Sequence, residues 1–301
     1  MMDVTHRTDD EQTRLWNGVA GRAWVEAQEL LEEMFKPFED LLVEAVCAGS
    51  RARVLDVGCG TGSITLGAAR RLGAKGRCTG IDISDPMIAA ARARAERERL
   101  PATFICADAQ VCAFEPASFD TIISRFGVMF FADSVRAFAN LRRAATEDAE
   151  LRFIAWRSAA ENPFMTTAER AAAPLLPNLP ERRAEGPGQF AFADRRRVHA
   201  ILEESGWGGV DIEPIDVVCM LPEKELVHYL TRLGPVGLML QETDDRTRTH
   251  VIHTVRAAFD PYVHGSEVRF TAACWMVTAR AVVRDSRAVC GERRNDRITA
   301  S

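Results

Sequence analysis

Three aspartates, each in or just after a short apolar run, have the type and spacing to grip a polar ligand: Asp56, Asp82 and Asp108. Asp56 lies in Val54-Leu55-Asp56-Val57, Asp82 closes Arg77-Cys78-Thr79-Gly80-Ile81, and Asp108 follows Thr103-Phe104-Ile105-Cys106-Ala107. A carboxylate accepts hydrogen bonds from hydroxyls and exocyclic amines. After the first acid comes Gly58-Cys59-Gly60-Thr61-Gly62. Glycines without a Cβ let a ligand lie against the backbone and let the chain turn sharply into a helix. The order D-x-G-x-G-x-G differs from the dinucleotide fingerprint G-x-G-x-x-G, whose third glycine packs helix on strand. Asp82 lies 22 residues beyond Gly60, a strand–helix–strand distance, where an acid can accept both hydroxyls of a ribose.

The apolar runs before these acids read as buried strands of a parallel sheet. A helix over 63–72, stopped by Gly73, follows the glycine loop. Ser84-Asp85-Pro86 opens another, to about Arg99, with serine as the capping side chain and proline in the first turn. The arginines of that helix read as a solvated face. Further strands are expected over 103–110, 119–124, 150–156, 210–220 and 268–280, with a turn over 146–149 before the fifth strand and helices over 133–145 and 163–173. Strands alternating with helices argue for an α/β fold with a doubly wound, mostly parallel, seven-stranded sheet. Residues 1–12 read as frayed. From Trp24 to Ala45 apolar residues recur at helical spacing, giving two helices near 18–35 and 38–48, broken at Pro37. The expected organisation is a helical cap over 1–48, a ligand-binding core over 49–157, two lid insertions (158–192 and 222–266) with the last two strands over 158–281, and a tail over 282–301.

The glycine loop and the acids after it make the chain resemble the class I S-adenosylmethionine-dependent methyltransferases of small-molecule type, strongly over 50–157 and weakly to about 280. The resemblance implies a Rossmann-like fold, with S-adenosyl-L-methionine as cofactor and S-adenosyl-L-homocysteine as product. It implies that Asp56, Gly58, Gly60, Thr61 and Gly62 hold the methionine part and that Asp82 and Ile83 hold the ribose. Met87 packs on adenine, while Asp108 and Ala109 meet its amino group and a ring nitrogen. Ser124 and Arg125, at a strand end, line the donor sulfur. Trp16 and Trp24 cover the pocket, and Phe126, Met129 and Tyr229 line the acceptor. The amino-methyltransferase signature D/N-P-P-Y/F is absent. Glu161-Asn162-Pro163-Phe164 is similar, but it follows the fifth strand, where Asn162 caps a helix.

Composition bounds the function classes. The 301 residues are 47% hydrophobic and 27% charged, ordinary for a soluble globular protein. A net charge of −5 disfavours nucleic acid as the main partner. None of the eight cysteines forms a C-x-x-C pair or a metal-spaced cluster, so no metal is expected and a reduced, cytoplasmic setting fits. Met1–Glu11 lacks the apolar core of a signal peptide, and no run is long enough to span a bilayer, so no membrane partner is expected. The expected partners are a small-molecule acceptor and a second copy in a homodimer. Methyl transfer is an in-line displacement that needs alignment and exclusion of water, and a base only where the nucleophile must lose a proton. His228 is the candidate base; the other histidines read as structural or exposed. Two apolar insertions point to an enclosed acceptor, a small apolar or aromatic metabolite of secondary metabolism methylated on O, N or C. The alternative is a cofactor-binding protein with changed or lost methyl transfer, such as a cyclisation catalyst or a regulator. Macromolecular methylation needs an open groove and fits less well; scattered cysteines disfavour arsenite as acceptor.

Overall fold

The computed structural model describes residues 4–48, 53–180, 182 and 186–281. The proposed tail over 282–301 lies outside them. Four helices come first: α1 Val4–Asn17, α2 Val19–Glu26, α3 Gln28–Met34 and α4 Lys36–Ala48. Helix thus begins at Val4, inside the stretch expected to fray, and the helix expected over 18–35 is two, parted at Ala27. Pro37 stands in the first turn of α4, where its missing N–H breaks no helical bond, so it opens a helix instead of ending one.

The chain then alternates: β1 Arg53–Val57, α5 Ser63–Leu72, β2 Arg77–Asp82, α6 Asp85–Glu98, β3 Ala102–Cys106, β4 Phe119–Arg125, α7 Ser134–Ala144 and β5 Ala145–Trp156. After it come α8 Pro163–Ala172, α9 Arg195–Glu204, β6 Gly208–Pro222, α10 Leu226–Arg232, α11 Gly234–Leu240, α12 Asp245–Ala258, β7 Val263–His264 and β8 Glu267–Arg280. The sheet order is β3-β2-β1-β4-β5-β8-β6, with β7 paired to β8. The first five strands run parallel, while β8 lies antiparallel between β5 and β6. The sheet has eight strands where seven were expected; the addition is the two-residue β7, folded back on β8.

β5 differs from expectation. The turn expected over 146–149 lies within the strand, because Asp148 takes a left-handed φ of 59° and the end of β8 satisfies the backbone there. The Asp148 N–H donates to the Ala281 carbonyl, and the Ala281 N–H donates to the Ala149 carbonyl. β3 in turn stops at Cys106, four residues short of the expected end.

One apolar cluster runs from Ala27 to Ala281, and Phe38, Phe138, Phe153, Phe192 and Phe259 are buried within it. A smaller one, from Cys59, Leu66, Ile88, Ala91, Ala95 and Phe104, fastens α5 and α6 to β3. Among the described residues no helix is long and apolar enough to cross a membrane.

Candidate ligand-binding crevice

β1 connects to β2 on one side, while its other neighbour is β4, reached later in the chain. At such a switch point in a parallel sheet the loops leave in opposite directions and open a crevice at the C-terminal strand ends. In-register pairing brings the ends of β1, β2 and β3 level: Val57 lies opposite Ile81, and Asp82 opposite Cys106. The glycine loop follows β1, with φ of 68° at Gly58, 55° at Gly60 and 86° at Gly62. Side chains are disfavoured in that region. A Cβ on Gly58 would lie 2.6 Å from Cα of Gly127, in the loop after β4, so two backbones touch across the crevice floor. A Cβ on Gly62 would meet the Phe104 ring at 3.0 Å, which closes α5 onto β3.

The three acids have different settings. Asp56 is 2% exposed and accepts the Thr65 hydroxyl at 2.6 Å. Burial raises its pKa to about 6, against the pull of the Thr65 bond and the Arg125 charge. Asp82 is held by backbone: its Oδ2 accepts the Gly60 N–H at 2.8 Å and its Oδ1 the Ser84 N–H at 2.9 Å. Burial pushes its pKa up, and these bonds work against that push. A carboxylate offers about four acceptor sites, so capacity remains for a ligand. Asp108 accepts the Gln110 N–H at 2.8 Å and the Gln110 side-chain amide at 2.9 Å. Gln110 also accepts the Asp133 N–H at the start of α7.

Beside the acids, Met87 is buried on α6, its sulfur 3.6 Å from where a Cβ on Gly60 would sit. Ser124 is buried, and its hydroxyl accepts the N–H groups of Gly127 and Val128. Ile83 is half-buried and its carbonyl accepts the Asn17 side-chain amide. Thr61 is half-buried and Ala109 is 6% exposed.

The N-terminal helices are tied to this region through residues that sequence reasoning missed. The Asn17 amide donates to the Ile83 carbonyl at 3.0 Å and accepts the Asp85 N–H at 2.8 Å, clasping both sides of Ser84. Ser84 itself is a corrected expectation: it stands at the α6 N-cap, but its hydroxyl donates to the Trp16 carbonyl, not to the helix. Arg94, read as solvated, is 8% exposed. It donates to Glu32 of α3 at 2.9 Å and to the Thr61 carbonyl in the glycine loop at 2.7 Å. A lone arginine in an alanine- and arginine-rich helix carries no signal that separates it from its exposed neighbours. Ser63, first in α5, donates to the buried Glu39 of α4.

Aromatic side chains pack between the N-terminal helices and the ends of β4 and β5. Trp16 meets Trp24 at 6.0 Å and Phe130 at 5.4 Å, both edge-on. Phe126 has a left-handed φ of 63° and stacks on Trp156 at 4.6 Å, with Phe35 and Phe38 against its ring. Met129 is 1% exposed and turned into the core, its sulfur accepting the Trp156 N–H. Tyr229 packs on Phe164 at 6.1 Å, and burial pushes its phenol up to about 12. His228, the residue before it on α10 and the proposed base, is exposed. Asn162 clamps β8: its amide donates to the Ala273 carbonyl and accepts the Ala273 N–H, each at 2.9 Å, and it makes no side-chain cap to α8. No group of three or more metal-ligating side chains occurs among the described residues.

Residues 54–148 match the family model described as "Methyltransferase domain". The aklanonic acid methyltransferase DauC of Streptomyces sp. (strain C5) is 37% identical over 108 residues, 36% of this chain and 49% of that protein. The chain spans about half the length of the curated relatives it matches. Among solved structures, the YcgJ protein of Bacillus subtilis superposes with a TM-score of 0.54 at 14% identity, covering 82% of this chain and 98% of that one. The [4+2]-cyclase SpnF superposes at 0.51 and 20%, covering 82% and 81%. Residues 54–148 are thus similar to a methyltransferase domain, and the mostly parallel sheet is the Rossmann-like fold of those structures.

Proposed function

We propose that this chain is an S-adenosylmethionine-dependent methyltransferase acting on a small-molecule acceptor. The observation that carries the reading is Asp82, held by the N–H groups of Gly60 and Ser84 at the mouth of a methyltransferase domain. The residues present fit a sulfonium nucleoside. Asp82 keeps acceptor capacity for ribose hydroxyls, and Asp108 for an exocyclic amine. The left-handed glycine loop exposes backbone where a ligand's amino-acid end would lie. When bound, the cofactor supplies an electrophilic methyl group on sulfur. The chain's own part is alignment and the exclusion of water, through the cap helices and the aromatic side chains around Phe126.

The assignment is tested by titrating S-adenosylhomocysteine calorimetrically, then incubating S-adenosylmethionine with a small-molecule panel and following S-adenosylhomocysteine release. Binding plus acceptor-dependent release is expected; no binding at millimolar nucleoside would end the reading. In Asp82→Asn the affinity for S-adenosylhomocysteine should fall about a hundredfold, roughly 3 kcal/mol, because charge-assisted bonds to two hydroxyls are lost. A second reading, cofactor binding without methyl transfer, is favoured by the exposed placement of His228 and by the likeness to the [4+2]-cyclase SpnF. Binding without release on any acceptor, together with a rearranged product, would favour it.

A further inference from the structure

Arg125 ends β4 at the crevice, beside the strained Phe126. Its Nη1 is buried and has no hydrogen-bond partner among the described residues. A buried, unpaired guanidinium nitrogen is costly, and such a group calls for an anion. The guanidinium lies 5.8 Å over the Phe35 ring, a contact that takes up no N–H. Three acids lie in its field, Glu39, Asp56 and Glu32. Each is already engaged: Glu39 by Ser63, Asp56 by Thr65, Glu32 by Arg94. None of them forms an ion pair with Arg125 among the described residues.

We propose, resting on the methyltransferase reading above, that the acceptor carries an ionised carboxylate and that Arg125 holds it. The aromatic group of Phe35, Phe126 and Trp156 next to the guanidinium suits the apolar body of such an acceptor. Guanidinium and carboxylate match as planar, bidentate partners. The surrounding titratable groups fit the same class. His228, His250, His253 and His264 are exposed, and His199 faces Glu203 on α9. Burial pushes the Cys219 thiol and the Tyr229 phenol each up to about 12, so neither is a ready proton acceptor near neutral pH. A carboxylate acceptor needs none. One of its oxygens forms the new bond to the methyl carbon as the carbon–sulfur bond breaks, the electron pair stays on sulfur, and no proton is released.

The test uses the full chain saturated with S-adenosylhomocysteine and two matched probe pairs, benzoate with benzamide and 2-naphthoate with 2-naphthamide. Binding is read by saturation-transfer NMR and calorimetry in the wild type, Arg125→Gln and Arg125→Lys. At least one acid should bind tenfold more tightly than its amide. That preference should vanish in Arg125→Gln and partly return in Arg125→Lys. Absence of any acid preference in the wild type overturns the proposal even if a variant fails to fold. So does a preference that survives Arg125→Gln. A tenfold loss of S-adenosylhomocysteine affinity in Arg125→Gln, with 5′-methylthioadenosine unaffected, would assign the guanidinium to the donor's own carboxylate and overturn it too. A wild type that binds no S-adenosylhomocysteine sinks the methyltransferase reading itself, and this proposal with it.

Discussion

Asp56 sits under the glycine loop with its charge against the grain of its surroundings. Its pKa of about 6 in the fold lies above the ordinary 3.8. The protonated form is therefore the one the fold favours. Its stabilising contribution is full below about pH 4 and is lost as pH rises through 6. Two units correspond to about 3 kcal/mol. In Asp56→Asn, which keeps an acceptor for Thr65, the stability gap to wild type should move in the variant's favour by up to that amount between pH 4 and 7. Urea midpoints across that range test it, and parallel profiles for the two proteins would refute it. The acid was legible in the sequence from its place after Leu55, but its burial against Thr65 was not. Nothing local indicates that residue 65, in the first turn of α5, turns its hydroxyl back onto the strand.

At the scale of elements, two glycines at positive φ differ in what surrounds them. Gly58 and Gly73 both have positive φ, 68° and 58°. A Cβ on Gly58 strikes Gly127, while one on Gly73 meets nothing within 4 Å. Gly73→Ala should therefore cost only the strain of its own backbone, φ 58° with ψ −147°, a region open essentially to glycine alone, about 1–3 kcal/mol. Gly58→Ala should add the displacement of Gly127 to its positive-φ strain, about 3 kcal/mol or more. A Gly58→Ala loss smaller than that of Gly73→Ala in chemical denaturation would show that the Gly127 loop gives way freely. The ion pair from Glu32 to Arg94 is the second element-level tie. Both side chains are largely buried, so Glu32→Gln should destabilise by about 1–2 kcal/mol and raise hydrogen exchange in α3 and the glycine loop together. Faster exchange in only one of them would mean that Arg94 does not couple them. Strands one to four were legible because each is a compact apolar run with turn residues at its end. The start of β5 was not, because Thr146-Glu147-Asp148 looks like a polar turn and is held in the sheet by Ala281, more than a hundred residues away. The ties of the cap were equally hidden: Asn17, Glu32 and Arg94 act across elements, and only the fold brings them together.

For the whole molecule, the main apolar cluster includes residues of the N-terminal helices, the sheet and the helices of the second insertion. Cap, sheet and insertion share one core, so they should unfold in one transition. Tryptophan fluorescence, which reports Trp16 and Trp24 in the cap and Trp156 in the sheet, should coincide with far-UV circular dichroism; an earlier fluorescence step would show a cap that melts by itself. The sheet order also bears on synthesis. β8, the last strand of the described chain, slots between β5 and β6, both of which leave the ribosome before it. Until Glu267–Arg280 emerges, a nascent chain has two raw strand edges, and β6 alone is fifteen residues long. Such edges are templates for pairing with other chains. A message cut short before β8 would therefore yield a clumping species, and the growing chain has most need of a chaperone just before β8 arrives.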